Sequence, residues 1–117
     1  MTNSKIYDLE DRTFNFTKNV IKLVKELPNT IANTEISRQV IRSSGSIGAN
    51  YIEANESLGK KDFAMRARVC RKEAKETVYW LKLLEINGSD MDSKRKILVQ
   101  EATELMKIFG SIVEKTK

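Results

Sequence analysis

Histidine is absent from the 117 residues, cysteine and proline occur once each, and glycine occurs only five times. Without histidine the chain lacks the usual general base near neutral pH and the commonest neutral metal ligand. The lone cysteine, Cys70, excludes an internal disulfide. Few prolines and glycines leave few places where a periodic segment can break. No apolar run approaches the 18 or so residues a transmembrane helix needs. The opening residues Met1 to Asp8 lack the apolar core of a secretory leader, so the expected location is cytoplasmic. What is present is 40% hydrophobic and 32% charged residues, a balance too apolar for a disordered chain. The length suits one domain, residues 1–117, which can bury about two-thirds of its unfolded surface.

Lysine and arginine outnumber the acids by 21 to 16, a formal net charge of +5. Between Lys60 and Lys82 eight basic residues face three acidic ones, so this one segment carries the whole excess and the remainder is formally neutral. An electrostatic footprint for an anionic partner therefore centres there, unless the segment is only a solvated helix face.

Apolar positions recur every three or four residues, and the pattern predicts four helices. The first runs from about Asp8 to Leu27, with Leu9, Phe16, Val20, Leu23 and Leu27 on one face, and Pro28-Asn29 ends it. The second begins near Asn33 or Thr34, either of which can cap it, and continues to about Leu58, with Val40, Ser44, Ile47, Tyr51, Ala54 and Leu58 in its core row and Gly59 breaking the pattern. The third spans about Lys60 to Ile86 through Phe63, Ala67, Cys70, Ala74, Thr77, Leu81 and Leu84, with Asn87-Gly88 as a left-handed stop. The fourth follows Ser89-Asp90 and carries Leu98, Ala102, Leu105, Phe109 and Ile112. Short loops between helices of this length favour antiparallel neighbours, so the expected fold is all-α: an up-down-up-down four-helix bundle.

Within the third helix Arg68, Lys72, Lys75, Tyr79 and Lys82 follow at steps of four, three, four and three, roughly 200° around from the core row. Long cations on a rigid rod, interleaved with a tyrosine, suit phosphate contacts and a stack on an unpaired base. With Arg71, and with a shorter row of Lys18, Lys22 and Lys25 on the first helix, they are the candidate nucleic-acid-binding residues. Such rows specify no base sequence, and an acidic protein would satisfy them almost as well. Beside them, Glu73 and Glu76 lie near Trp80 and need cations once partly buried. Arg12 and Arg42 are the candidate partners in a structural polar network. Gly45 and Gly48 each cost the second helix about 1 kcal/mol relative to alanine, which close approach of a neighbouring helix would offset. Phe14, Ile21, Ile97 and Ile108 lie off the core rows and are the candidate oligomer interface.

Enzyme chemistry finds little support. Glu73-x-x-Glu76 and Glu101-x-x-Glu104 have the spacing of a di-iron bundle without its histidines, leaving only an all-carboxylate site. Cys70 has no histidine to ionise it and reads as a buried structural thiol. Gly45 to Gly48 lacks the ending of a phosphate loop. No catalytic residue, metal or cofactor is expected.

Four segments stand out: Arg12-Thr13-Phe14 leading to Val24-Lys25-Glu26-Leu27-Pro28, then Gln39 to Ala54 with Arg42-Ser43-Ser44-Gly45-Ser46-Ile47-Gly48-Ala49-Asn50-Tyr51, then Asp62-Phe63 continuing to Arg71-Lys72-Glu73-Ala74-Lys75-Glu76-Thr77-Val78-Tyr79-Trp80-Leu81, and last Glu101 to Leu105. In these the chain resembles the four-helix-bundle proteins associated with intervening sequences in bacterial 23S rRNA genes, a family that includes the accessory variability determinant proteins of diversity-generating retroelements. The second and third are the specific ones. Gly59-Lys60-Lys61 departs from the family, which more often places a serine at that cap. The resemblance implies a non-enzymatic bundle assembling into a homo-oligomeric ring, a pentamer in related proteins. It implies structured RNA more than DNA as partner, or alternatively docking of a reverse transcriptase with nucleic acid held jointly.

Overall fold

The computed structural model describes residues 8–117; the stretch read for a leader lies, but for Asp8, outside them. Four helices follow in order: α1 Leu9–Glu26, α2 Ile31–Asn55, α3 Lys60–Leu83 and α4 Gly88–Lys115. Asp8 caps α1 by accepting from the Asp11 N–H at 3.4 Å. The helix ends at Leu27, whose extended backbone (φ −68°, ψ 150°) is the conformation that a following proline favours.

α2 starts earlier than its sequence pattern predicts. Thr30, not Asn33 or Thr34, is the cap, its hydroxyl accepting from the Asn33 N–H at 3.0 Å. The Asn33 side chain does different work. It donates to the carbonyls of Pro28 and Glu85, both at 3.0 Å, and accepts from the Glu85 N–H at 2.8 Å. It thereby fastens the α1–α2 turn to the segment leaving α3. At the other end α2 stops at Asn55, where the N–H groups of Glu56 and Ser57 bond three residues back to Glu53 and Ala54. That tightened turn takes Leu58 off the core row and leaves it 101% exposed in the connection.

α3 opens after Gly59 with no side-chain cap, as expected where a serine is missing. It closes at Leu83, before Ile86, because Arg95 reaches over from α4 and donates to the carbonyls of Lys82 (3.3 Å) and Leu84 (2.9 Å). Gly88 does take the left-handed backbone (φ +87°), but it opens α4 rather than closing α3.

The helices pack α1 on α2, α2 on α3, α3 on α4 and α4 on α1, with α1 and α3 across one diagonal and the whole about 45 Å long. Val20, Val40, Ile47, Cys70, Leu81, Leu105 and Phe109 fill the centre, and Tyr51 meets Phe109 edge-on at 5.6 Å. On α4 the row ends on Val113, with Ile112 only partly buried. Across α2 and α3 the buried hydroxyls of Ser43 and Thr77 bond each other at 2.8 Å, and Thr77 also donates to the Glu73 carbonyl at 2.7 Å. Paired this way, two polar groups sit in the core without an unmet bond. Gly48 lies directly against Thr13, so that a Cβ there would stand 2.9 Å from the threonine Oγ1 and 3.3 Å from its Cβ. Gly45 meets nothing closer than Thr17 Cγ2 at 4.0 Å.

Candidate nucleic-acid interface

α3 is held by two neighbours, α2 on one flank and α4 on the other, and the row Arg68, Lys72, Lys75, Tyr79 and Lys82 occupies the side left to solvent; all five are exposed. At 1.5 Å per residue the ridge is about 21 Å long. None of its four cations forms an ion pair among the described residues. Two acids on the same helix are engaged elsewhere. Glu73 and Glu76 face α2, where Arg42 spans both, Nη1 to Glu73 at 3.4 Å and Nη2 to Glu76 at 3.3 Å. Their charge therefore goes to the α2–α3 seam and not to Lys72 or Lys75. Arg71 is half-buried, its Cδ against Gly110 of α4, so it leans away from the ridge.

Lys18, Lys22 and Lys25 are exposed on α1, but α1 is diagonal to α3, so the two rows do not form one surface. Lys18 additionally sits over the Phe14 ring at 5.6 Å.

Arg12 does not pair with Glu73 or Glu76. It lies on the α1–α4 seam and forks onto Glu101, Nε to Oε2 at 2.7 Å and Nη2 to Oε1 at 2.9 Å, with Nη2 also reaching Glu104 at 2.8 Å. The guanidinium is held even more basic than usual, chiefly by its bond to Glu101. Glu104 is kept below the usual carboxylate range, first by the Gln100 amide and then by Arg12. These bonds are shorter than those of Arg42, and they line an open groove of about 680 Å³ between α1 and α4.

The four off-row apolar residues fall on two faces. Phe14 (63% exposed) and Ile21 lie on the α2 side of α1, near Thr13 and Thr17, which touch Gly48 and the Ser44 carbonyl. Ile97 (68% exposed) borders the α1–α4 groove, and Ile108, eleven residues on, shares its stripe and packs partly on the core. Ile41 and Ile52 of α2, which the sequence pattern places in one helical row with Gly45 and Gly48, are also exposed, and they are absent from the four candidate interface residues.

Cys70 is buried, donates to the Ile47 carbonyl at 3.4 Å, and has its thiol pushed up to about 12 by desolvation. That thiol is no nucleophile at neutral pH. No group of three metal-ligating side chains occurs among the described residues, so Glu73-x-x-Glu76 and Glu101-x-x-Glu104 do not converge on one site. No described helix is long and apolar enough to cross a membrane.

Fold and surface together define an all-α four-helix bundle whose α3 carries a ridge of cations without ion pairs among the described residues. The chain belongs to the 23S rRNA-intervening sequence protein family, whose model matches residues 6–111. It is similar to a crystal structure of a protein of unknown function from the S23 ribosomal protein family of Bacteroides thetaiotaomicron. The two share 31% identity over 94% of this chain and 98% of that one, with a TM-score of 0.78. Comparison with curated proteins gives no match. Neither the family description nor the neighbour's names a reaction.

Proposed function

We propose that this protein is a non-enzymatic, homo-oligomeric bundle that binds nucleic acid, structured RNA above DNA, through the α3 ridge. The observation that carries the reading is that Arg68, Lys72, Lys75 and Lys82 form no ion pair among the described residues while Glu73 and Glu76 on the same helix are drawn to Arg42. Cations left unneutralised along a rod release counterions when they meet phosphates, and that gain makes affinity fall with salt. Replacing Arg68, Lys72 and Lys75 by alanine is expected to keep helical content, weaken RNA binding and flatten the salt slope by roughly 2 to 3 units. Unchanged binding and slope would reduce the ridge to a solvated face.

Assembly into a ring is supported by the apolar side chains that stay exposed on the α1–α2 face, Phe14, Ile41 and Ile52, around Gly45. Sedimentation of Phe14→Glu tests it, with a smaller species expected and an unaltered profile counting against that face. A second reading, docking of a reverse transcriptase, draws on the exposed Met65 and Leu83 beside the ridge, apolar contacts that phosphates do not need.

A further inference from the structure

Tyr79 stands among the ridge cations with its side chain largely in solvent, 60% exposed. Lys75 is one turn before it and Lys82 one turn after, on the same side of α3. The ring is not free to fold down onto the helix. Consecutive residues diverge by about 100° around a helix axis. Yet the Tyr79 and Trp80 rings lie 5.0 Å apart at 74°, so the two side chains lean together and the indole braces the phenol edge to face. The Trp80 indole N–H is buried and has no hydrogen-bond partner among the described residues. Packing against Tyr79 and the bundle, not a hydrogen bond, therefore sets the position of the brace. The product is a fixed aromatic surface standing in water between two ammonium groups.

A base inside a continuous duplex has both faces covered by its neighbours and none to offer such a surface. An unpaired base has one. We infer that Tyr79 is a stacking platform for an unpaired base, and that the α3 ridge takes single-stranded or bulged nucleotides in preference to uninterrupted duplex, with Lys75 and Lys82 on the flanking phosphates. This inference rests on the nucleic-acid reading above and narrows it. Every base has a π-face, so the stack selects the unpaired state and not a sequence. The lysines alone would give an unpaired strand no advantage over the more densely charged duplex; the aromatic ring is what supplies one.

The chain's one tryptophan is Trp80, adjacent to the proposed platform, so its fluorescence reports directly on Tyr79. The probes are a short mixed-sequence RNA strand and the same strand annealed to its complement as a blunt duplex, each titrated at one fixed salt concentration. The variants are Tyr79→Leu, Tyr79→Phe and the double Lys72→Ala/Lys75→Ala, with far-UV circular dichroism confirming the bundle in each. Tyr79→Leu is expected to weaken strand binding roughly 5- to 150-fold while changing duplex binding by less than about twofold. Tyr79→Phe should restore strand binding, and Trp80 emission should change with the strand only. Equal losses for strand and duplex, or none in Tyr79→Leu, would overturn the platform. If the lysine variant weakens both probes and Tyr79→Leu neither, the platform fails and nucleic-acid binding stands; if the parent protein binds neither probe at low salt, both fail.

Discussion

Gly45 and Gly48 sit one turn apart on α2 and look alike in sequence, yet their surroundings predict opposite responses to alanine. Each glycine costs the helix about 1 kcal/mol against alanine, so adding a methyl returns that amount wherever space allows. At Gly45 space allows it, since the new Cβ would touch only Thr17 Cγ2 at 4.0 Å. At Gly48 the Cβ would arrive 2.9 Å from Thr13 Oγ1 and 3.3 Å from Thr13 Cβ. Thr13 cannot swing aside, because it is buried and its hydroxyl is committed to the Leu9 carbonyl at 2.7 Å. Overpacking of that kind costs about 1–3 kcal/mol, which exceeds the helix gain. Gly45→Ala should therefore stabilise the bundle by up to about 1 kcal/mol and Gly48→Ala destabilise it by a similar amount. For a domain near this size those changes move the melting temperature by about 4 °C in opposite directions. Urea unfolding followed by Trp80 fluorescence and circular dichroism reads both. Thr13→Ala in the Gly48→Ala background should recover part of the loss, a non-additivity of about 1 kcal/mol. Two variants that shift together, or a double variant that is simply additive, would refute close approach of α1 as the reason for Gly48.

The paired and the buried groups each set an expected outcome. Arg12→Met leaves Glu101 and Glu104 without their cation and should cost about 1 kcal/mol, measured by urea unfolding at pH 7. Because Glu104 and Asp92 titrate below their ordinary values in the folded chain, they bind fewer protons folded than unfolded. Their contribution is present at neutral pH and lost as pH falls below about 4.5, and Arg12→Met should show a shallower acid decline than the parent. Cys70 has the opposite sign: its thiol stays protonated to about 12 when folded, against 9.0 for the free group, so stability should decline as pH rises past 9, less steeply in Cys70→Ala. Iodoacetamide at pH 8 should label Cys70 only as fast as the bundle opens, and rapid labelling of the folded protein would contradict its burial.

The four-helix pattern was legible because the core rows are nearly unbroken and because Pro28 admits no continuation of α1. The ends were less so, since they depend on contacts distant in sequence. Thr30 and Asn33 both suit a helix cap, and only the position of Glu85, brought over by the fold, decides that Asn33 binds that backbone while Thr30 does the capping. Arg95 ends α3 from another helix, which no local motif announces. The partner of Arg12, by contrast, follows from topology. In an up-down bundle α1 and α3 are diagonal, so an α1 arginine cannot reach Glu73 or Glu76. Glu101 and Glu104 offer the same i, i+3 spacing on an adjacent helix. The exposure of the α3 ridge could be read from its angle to the core row, but its freedom from ion pairs could not, because that depended on which way Glu73 and Glu76 turned.

The formal charge of the chain says little about its field until the carboxylates are placed. Glu73 and Glu76 are taken up by Arg42 between α2 and α3, and Glu101 and Glu104 by Arg12 between α1 and α4. In both seams one arginine spans two carboxylates and links neighbouring helices, so most of the acid charge is held between helices, with one formal negative charge left over in each seam. Lysines dominate what is left over, and on α3 they remain in line without an ion pair among the described residues. A chain of identical composition whose glutamates faced outward would have the same net charge and no ridge. The same partition limits what one bundle can hold: the α1 row faces away from α3 across the diagonal, so a single strand laid along the ridge does not touch Lys18, Lys22 or Lys25. Charges more than a Debye length of about 8 Å from the bound strand contribute little at physiological salt, and only neighbouring copies in an assembly would bring the second row to bear on the same molecule.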